Sequence, residues 1–525
     1  MAVTRTLPHR RFPPSVGHKA IVIGAGVGGL AAAMRLGAKG YSVTVIDRLD
    51  MPGGRGSSIT QGGHRFDLGP TIVTVPQGLR ELWATCGRDF DADVDLRPMD
   101  PFYQIRWPDG SHFSANGSTA DMRAEVARLS PRDLPGYDRF LKDSEARYQF
   151  GFEDLGRRSM HRFVDLLKVL PTFVKMRADK SVYAHAASRV RDERLRMALS
   201  FHPLFIGGDP FHVTSMYILV SHLEKEFGVH YAIGGVAAIA AAMARVVEGQ
   251  GGALHLNTEV DEIVVDKGRA MGVRLAGGQV LQADIVVSNA DAGFTYDTLL
   301  RNHVKKRWTP AHLKRRRWSM GLFVWYFGTS GTANMWQDAG HHTILNGPRY
   351  KGLLSDIFLK GKLGDDMSLY VHRPSVTDPT VAPAGGDTFY ALSPVPHLGH
   401  KNPVNWQAEA EPYRQKVLEV LEDQLLPGVS SHITESLTFT PETFRDRYLS
   451  PYGSGFSIEP RILQSAWFRP HNVSEELPGL YLVGAGTHPG AGLPGVIASA
   501  EVLGKLVPDV QGHSAAVPLQ RMAAE

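Results

Sequence analysis

The hydrophobic pattern near the start of the chain predicts a strand, a helix and a second strand. Residues 20–23 form a short apolar run, a glycine-rich turn follows, and residues 30–39 form an alanine-rich stretch that ends at Gly40. A second apolar run covers residues 41–46. Two apolar runs joined by such a stretch, with a glycine stop, are typical of a βαβ unit.

A similar pattern stands near the other end of the chain. Residues 479–483 predict a buried strand that leads into a glycine-rich turn, and residues 496–506 predict a helix. Two such units, far apart in the chain, leave two interpretations open. The chain holds either two nucleotide-binding domains or one domain built from both of its ends.

The middle of the chain favours a single cofactor domain. Four alternating stretches predict short antiparallel strands, at residues 254–260, 263–265, 272–275 and 279–281. Residues 284–291 then predict a buried parallel strand. A meander that returns to a parallel strand usually decorates a dinucleotide fold. We therefore predict an α/β fold with a Rossmann-like βαβ domain assembled from discontinuous segments, plus an α+β substrate domain with a helical, membrane-facing part.

The boundaries follow from the same patterns. We assign residues 19–85, 236–295 and 476–508 to the cofactor domain, and residues 86–235 and 296–475 to the substrate domain. Residues 1–18 hold arginines and prolines without an apolar core, which predicts a disordered arm and no signal peptide. Residues 509–525 predict a disordered tail. No apolar stretch approaches the ~20 residues of a spanning helix, so none is predicted.

Composition narrows the class of protein. The chain has 525 residues, which at roughly 150 per domain predicts two to four domains. Its 43% hydrophobic and 21% charged residues exclude a disordered, collagen-like or coiled-coil chain. The single cysteine excludes an internal disulfide and a cysteine-based metal cluster, and favours an intracellular compartment. A net charge of +4 is too small over this length to indicate a nucleic-acid partner.

The first glycine-rich turn has the spacing of a dinucleotide site. Gly24, Gly26 and Gly29 fit G-x-G-x-x-G between a predicted strand and helix. These glycines permit a tight turn, close approach of the backbone to a pyrophosphate, and close helix–strand packing. The helix N-terminus adds free N–H groups for the phosphates. Asp47 closes the second strand, where a carboxylate accepts hydrogen bonds from an adenosine ribose.

NAD and FAD share this unit, and two further segments favour FAD. The glycine pair Gly53-Gly54, followed by Arg55, can bring backbone and charge alongside an extended pyrophosphate–ribityl chain. The late loop 484–492 opens a helix, whose dipole and N–H groups would stabilise a reduced flavin ring. The predicted FAD-binding residues are Gly24, Gly26, Gly28, Gly29, Asp47, Arg48, Gly53, Gly54, Arg55, Val260, Gly484, Gly486, Thr487, Gly495 and Val496.

Several motifs carry a family resemblance. Residues 48–55, 66–71 (FDLGPT) and 284–291 resemble the FAD-dependent amine oxidase and carotenoid desaturase superfamily. Further motifs narrow the resemblance to bacterial-type phytoene desaturases, most of all those of purple photosynthetic bacteria. They are residues 341–344 (HHTI), 368–370 (SLY), 453–460 (GSGFSIEP), 464–471 (QSAWFRPH) and 480–496 (LYLVGAGTHPGAGLPGV). One position departs from the wider superfamily: many relatives carry an acidic residue where this chain has Ala485.

The resemblance implies a flavin enzyme that acts at a membrane surface on the cytoplasmic side. It would introduce several double bonds into 15-cis-phytoene, through carotene intermediates, to give neurosporene or lycopene. Hydride would pass to flavin N5, and oxygen or a quinone would accept the electrons. Three alternatives stay open. They are a desaturase of another polyisoprenoid or later carotenoid (dehydrosqualene, hydroxy- or methoxyneurosporene), a flavin-dependent carotenoid isomerase, and a non-catalytic carotenoid-delivering flavoprotein.

The sequence does not identify a catalytic residue. His64, Glu459 and His488 lie in or near cofactor-type motifs, but residues of this kind are more often structural, and none is assigned as the base that takes the substrate proton. His341 and His342 are adjacent, and neighbouring side chains in a strand point to opposite faces. We therefore expect one inward and one outward histidine, and predict no metal site.

Two basic segments are candidates for contact with a lipid surface. Residues 157–180 hold seven Lys or Arg against two Asp, with apolar residues near helical spacing and Pro171 expected to break the run. A basic amphipathic segment binds anionic lipid, although a half-buried helix with a solvated basic face is the alternative. The second segment, residues 305–318, combines basic runs with Trp308 and Trp318 and suits either a membrane interface or a solvated connector.

Overall fold

The computed structural model describes residues 18–510. The predicted N-terminal arm, apart from His18, and the predicted tail beyond Val510 lie outside the described residues. Asp509 and Val510 belong to the folded part, because Lys39 forms an ion pair with Asp509 and accepts the N–H of Val510 on its carbonyl oxygen. The predicted start of the tail at residue 509 is therefore wrong by two residues.

The described strands have three to nine residues. They are β1 (Lys19–Ile23), β2 (Ser42–Ile46), β3 (Ser58–Gln61), β4 (His64–Asp67), β5 (Leu96–Pro98), β6 (Tyr103–Arg106), β7 (His112–Ala115), β8 (His230–Ala232), β9 (Ala253–His255), β10 (Val260–Asp266), β11 (Arg269–Leu275), β12 (Val280–Gln282), β13 (Ile285–Ser288), β14 (Gly321–Thr329), β15 (His342–Leu345), β16 (Leu369–His372), β17 (Asp387–Val395), β18 (Ile433–Phe439) and β19 (Leu480–Leu482).

The described α-helices vary from a single turn to five turns. They are α1 (Val27–Ala38), α2 (Pro76–Thr85), α3 (Phe90–Asp93), α4 (Thr119–Leu129), α5 (Leu134–Tyr148), α6 (Phe163–Lys175), α7 (Val182–Ala187), α8 (Glu193–Ala198), α9 (Leu219–Phe227), α10 (Gly235–Gly249), α11 (Ala292–Phe294), α12 (Pro310–Lys314), α13 (Tyr350–Ser355), α14 (Trp406–Gln424), α15 (Pro441–Tyr448) and α16 (Leu493–Leu506). None of these helices combines the length and the apolar character needed to cross a bilayer.

A five-stranded parallel sheet joins the two ends of the chain with its middle. Its order is β19-β13-β1-β2-β9, and every pairing is parallel. Alternate side chains of β1 reach opposite faces: Ala20 and Val22 pack with α1, α10 and α16, whereas Ile21 and Ile23 face β10 and β11. The strand order thus brings the N-terminal, middle and C-terminal segments into one sheet.

One predicted strand of the meander is wrong. Residues 254–260 were expected to form an antiparallel strand, but β9 adds in parallel to the edge of the main sheet, and β10 begins only at Val260. Asn257, with a positive φ of 51°, turns the chain between the two strands. β10, β11 and β12 form the antiparallel meander itself.

The second sheet is larger, mixed and highly apolar. Its order is β18-β14-β17-β16-β15-β6-β7, and β15–β6 is its parallel pairing. One face, which carries Phe323 and Trp325, packs under α14. The opposite face, which carries Leu322, Val324 and Tyr326, forms one wall of the central cavity.

Candidate functional site

One large cavity lies between the two sheets. Its volume is about 850 Å³, at the upper end of the range for small-molecule and cofactor sites. Glycine-rich loops line one end, and apolar side chains line most of the remainder. One end of this continuous cavity therefore suits a dinucleotide, and the other end suits a hydrocarbon.

The glycine-rich end stands at the carboxyl edge of the parallel sheet. β1, β2, β13 and β19 end just before Gly24, Asp47, Asn289 and Val483, and the strand order makes their loops neighbours. In open α/β sheets, ligands bind in the crevice outside the carboxyl ends of the strands. The topology thus converts motifs that are distant in sequence into one site.

The close approach of these loops explains the need for glycine. A Cβ atom at Gly26 would lie 2.8 Å from Asn289 Nδ2, and one at Gly28 would lie 2.7 Å from Asn289 Oδ1. A Cβ atom at Gly484 would lie 2.6 Å from Asn289 Oδ1, and φ of Gly484 is +97°. The side chain of Asn289 therefore lies between the first glycine-rich loop and the loop that follows β19. Sequence reasoning missed its position, although it lies within the quoted motif 284–291.

Two helix N-termini face the same cavity without a capping side chain. α1 begins after Gly26 and α16 begins after Gly492, and neither has a side-chain cap or an acidic residue in its first turn. Residues at both N-termini line the cavity. Uncapped N–H groups and the positive ends of two helix dipoles fit the phosphates and the electron-rich carbonyl edge of a flavin dinucleotide.

Asp47 organises the first loop. Its Oδ2 accepts the N–H of Ala25 at 2.6 Å, and its Oδ1 accepts the N–H of Leu49 at 2.8 Å. Burial raises the pKa of Asp47 above its usual value, while these two N–H groups act in the opposite direction. The neighbouring Arg48 donates to the carbonyl oxygen of Asp446 at 2.6 Å and lies 3.7 Å from Glu259.

Two arginines, the half-buried Arg55 and the buried Arg469, shape the flavin-like end. Arg55 donates to Ser450 and faces the Tyr448 ring, and Asp291 is its nearby opposite charge. Arg469, which is 1% exposed, donates to Ala485 O at 2.7 Å and to Thr487 O at 3.2 Å. Sequence reasoning missed the role of Arg469, although it quoted the motif that contains it.

Most, but not all, of the predicted cofactor residues line the cavity. Gly29, Gly486 and Thr487 do not. A Cβ atom at Gly29 would lie 2.0 Å from Gly24 O, so this glycine serves helix–strand packing. Thr487 turns its hydroxyl to the carbonyl oxygen of Gly484 at 3.0 Å and thereby holds the loop.

The apolar end contains two small polar groups. Thr71 Oγ1 lies 2.8 Å from the hydroxyl of Tyr370 and 3.2 Å from that of Tyr390. His202 Nε2 lies 3.0 Å from Glu224 Oε2. All five side chains line the cavity. These two groups are the sites on an otherwise apolar wall where a side chain can accept or donate a proton.

The three titratable residues noted from the motifs form hydrogen bonds that hold the fold together. His64 and Glu459 do not line the cavity; His64 pairs with Thr388, and Glu459 binds Arg461. His488 does line it, but its Nε2 lies 3.0 Å from Leu155 O and 3.1 Å from Arg158 O. Burial lowers the pKa of His488 to about 4.

The expected opposite orientation of His341 and His342 is wrong. β15 begins at His342, so His341 lies just before the strand and the alternation does not extend to it. Both side chains are buried, and their ring centroids are 4.3 Å apart.

Helix α6 stands at the mouth of the cavity with an exposed apolar face. Leu167 and Leu170 line the cavity yet are 51% and 49% exposed, and Val174 is 66% exposed. Leu463, on a neighbouring turn, is 63% exposed and also lines the cavity. The helix runs through Pro171, so the expected break there is wrong. Proline removes one backbone hydrogen bond from the interior of a helix, but its fixed φ of about −65° is helical.

Some residues of the two basic segments are used within the fold and are not free to contact lipid. Arg157 forms ion pairs with Glu81, Glu153 and Glu501, so it holds the fold together. In the second segment, Trp308 is fully buried and Trp318 nearly so. These tryptophans belong to the core, which rules out their use as interface anchors and supports the connector interpretation.

Comparison with known proteins agrees with this geometry. The family model of the flavin-containing amine oxidoreductases matches residues 27–501. The chain is 75% identical over 514 residues to the neurosporene-forming phytoene desaturase of Cereibacter sphaeroides, covering 98% of this chain and 99% of that protein. It is 69% identical over 492 residues to the neurosporene-forming enzyme of Rhodobacter capsulatus, covering 94% of both.

More distant relatives extend the picture. The lycopene-forming phytoene desaturase of a Paracoccus species is 43% identical over 488 residues, covering 93% of this chain and 97% of that protein. An oxidoreductase from Methanosarcina mazei shares the fold at a TM-score of 0.62 and 20% identity, covering 92% of this chain and 98% of that one. A putrescine oxidase variant also shares the fold, with a TM-score of 0.61 and 14% identity, and the match covers 93% of this chain and 97% of that one.

The chain is therefore a flavin-containing oxidoreductase with the amine oxidoreductase fold. Within that class it belongs to the phytoene desaturase family. FAD as the cofactor and the enzyme class, both predicted from the sequence, are confirmed by this membership.

Proposed function

We propose that this enzyme desaturates phytoene at a membrane surface and that neurosporene is its end product. The observation that carries the proposal is the continuous cavity, which runs from the glycine-rich loops to the exposed apolar face of α6. A substrate dissolved in the bilayer can enter such a cavity without crossing water, because the apolar face borders its mouth.

The cofactor would occupy the glycine-rich end. The first loop and the α1 N-terminus are suited to the pyrophosphate, and Asp47 to the adenosine ribose. Arg55 and the α16 N-terminus, shaped by Arg469, are suited to the flavin-bearing half. In this arrangement Ala485 offers no polar side-chain atom to the cofactor, and backbone N–H groups take the role of the acidic residue that many relatives carry. When bound, FAD supplies the oxidant that accepts a hydride from an allylic carbon.

The apolar end would hold and orient the hydrocarbon. Side chains from the second sheet, such as Leu322 and Val324, and from the short helical turn before α9, such as Met216, exclude water from it. Loss of a hydride leaves a proton to be removed from the neighbouring carbon. His202 is our candidate acceptor, because Glu224 binds its Nε2 while its Nδ1 has no hydrogen-bond partner among the described residues.

The end product is inferred from the relatives. Both proteins with about 70% identity or more form neurosporene, whereas the relative at 43% forms lycopene, which requires one further desaturation. We therefore assign the less desaturated product, with the shorter conjugated polyene, to this chain.

The membrane docking surface is proposed to be α6 with the turn at Leu463. Its apolar face is flanked by the exposed Arg162, Lys168 and Lys175, for which the described residues offer no ion-pair partner. Such a surface lies in the interface plane and is drawn to anionic lipid. The second basic segment is not included, because its tryptophans are buried.

An anaerobic half-reaction tests the proposal and its alternatives. Holoenzyme mixed with phytoene-loaded liposomes under nitrogen should lose its oxidised flavin absorbance. Oxygen or a quinone, added separately, should restore it and so identify the electron acceptor. A carotenoid isomerase would convert a cis-carotene without any acceptor, and a delivery protein would leave phytoene and flavin unchanged. A reaction with dehydrosqualene or hydroxyneurosporene but not with phytoene would reassign the substrate.

A further inference from the structure

Three buried histidines form a cluster behind the cavity wall. His341, His342 and His372 are 5%, 2% and 1% exposed. Each offers one ring nitrogen, and these nitrogens lie within 4.8 Å of one another. None of the three histidines lines the cavity, so the cluster is distinct from the flavin and substrate site.

The strand register builds this cluster. β15 and β16 are antiparallel, and His342 stands directly opposite His372. Directly opposed residues place their side chains on the same face of a sheet, and these two rings are 5.3 Å apart. His341, just before β15, brings its ring to 4.3 Å from that of His342 and 4.8 Å from that of His372.

Hydrogen bonds fix two of the rings through one nitrogen only. His341 Nδ1 lies 2.7 Å from Thr377 Oγ1, and His342 Nδ1 lies 2.7 Å from the hydroxyl of Tyr370. The Nε2 atoms of both residues have no hydrogen-bond partner within residues 18–510, and neither nitrogen of His372 has one. A buried nitrogen without a hydrogen-bond partner lowers the stability of the fold, and this cluster contains four of them.

Imidazole binds a metal ion through the lone pair of a ring nitrogen. Each of the three histidines has a ring nitrogen without a hydrogen-bond partner among residues 18–510. One carboxylate stands close by: Asp67 Oδ2 lies 3.5 Å from His372 Nε2 and brings negative charge to the site.

We propose that His341, His342 and His372 bind one divalent transition-metal ion, with zinc as the expected metal. Imidazole is a preferred zinc ligand, and two nitrogens of a tetrahedral site with Zn–N of about 2.0–2.1 Å are about 3.3 Å apart. The ring nitrogens, which lie within 4.8 Å of one another, would have to move closer by rotation of the rings when the ion binds. This proposal departs from the prediction from sequence that no metal site exists.

The proposed ion has a positioning role. Metal-bound histidines are oriented by the hydrogen bond at their other nitrogen, and for His342 that partner is Tyr370. Tyr370 in turn binds Thr71 on the cavity wall. The ion would tie β15 to β16 and hold this tyrosine against the cavity. It takes no electrons and no proton in the reaction.

Metal content gives the direct test. Full-length holoenzyme is produced without a polyhistidine tag, in zinc-supplemented medium, and analysed by elemental mass spectrometry. We expect about one zinc per chain, and zinc-edge X-ray absorption should show three nitrogen ligands at about 2.0–2.1 Å. His372→Gln and His341→Gln should lower the content at least tenfold. His185→Gln is the matched control, since His185 is buried, binds Asp143 and lies outside the cluster.

A second measurement covers variants that fail to fold. A chelator added to the wild-type holoenzyme should lower its melting temperature, and zinc but not magnesium should restore it. The proposal is overturned if FAD-loaded enzyme with a normal melting temperature holds no zinc and takes up none when zinc is added. It is equally overturned if folded His372→Gln keeps the full metal content, which would make the ion adventitious.

Discussion

Asn289 and the glycines around it determine whether a dinucleotide can be held. Replacing Gly26 by valine should abolish FAD retention, because its Cβ would fall 2.8 Å from Asn289 Nδ2 and fill the space that the pyrophosphate needs. Flavin absorbance of the purified protein, relative to protein concentration, measures the effect. Gly277→Ala is the control, since its Cβ would meet nothing within 4 Å. Normal flavin content in Gly26→Val would refute the assignment of this loop.

His202 is the residue at which the proposed proton transfer can be tested. His202→Gln should lower kcat at least about 100-fold while FAD content stays normal, because a general base contributes roughly 10²–10⁴. Glu224→Gln should show a smaller loss, since it removes the carboxylate charge beside Nε2 but leaves the imidazole and an amide that can still bind it. Turnover of phytoene in liposomes is the measurement. A His202→Gln enzyme with unchanged kcat would exclude this histidine as the proton acceptor.

His488 makes stability depend on pH. Its pKa is lowered by burial from 6.5 to about 4, so between these values the unfolded state binds a proton that the folded state does not. The free energy of unfolding should therefore fall as the pH falls through this window, by up to about 1.4 kcal/mol per pH unit. Urea titrations at about pH 7 and about pH 5 measure the fall.

The variant His488→Gln isolates this contribution. Its amide can still donate to the carbonyl oxygens of Leu155 and Arg158 but does not titrate. We expect a smaller loss of stability between the two pH values than in the wild type. Equal losses in the two proteins would show that other groups, such as the buried His185, cause the pH dependence.

At the scale of elements, α6 carries the proposed contact with lipid. Leu167→Asp combined with Leu170→Asp should weaken liposome binding at least about tenfold, because each buried leucine contributes roughly 1.5–3 kcal/mol. Sedimentation with vesicles of neutral and anionic lipid measures the bound fraction. Val304→Asp is the matched control, an 85% exposed valine beside the second basic segment. If only the Val304→Asp control lost binding, the docking surface would have to be assigned to the second basic segment instead of α6.

The elements that the sequence predicted well are those with a strong local pattern. The run 20–23, the alanine-rich helix and the strand before Gly484 each have a clear period and a glycine boundary. β9 was misassigned because three residues at a sheet edge have no period of their own. The shared burial of His341 and His342 depends on tertiary packing, which overrides the local rule.

At the scale of the whole molecule, the sequence located one half of the site. The glycine-rich loops have a spacing tied to the shape of a dinucleotide, and they could be found without a structure. Thr71 and Tyr370 lie in quoted motifs, but their meeting at the cavity wall could not be predicted, because they come from separate segments. His202 lies in none of the quoted motifs. A hydrocarbon site leaves little trace in sequence, since its lining resembles an ordinary core.

The product of a full reaction tests the central claim most directly. Holoenzyme is incubated with phytoene-loaded liposomes and an electron acceptor, and the extracted carotenoids are followed by visible absorption and chromatography. We predict a structured polyene spectrum that shifts to longer wavelength and stops at neurosporene. Accumulation of lycopene would contradict the assigned end product. Unchanged phytoene in the presence of bound FAD and an acceptor would contradict the desaturase function itself.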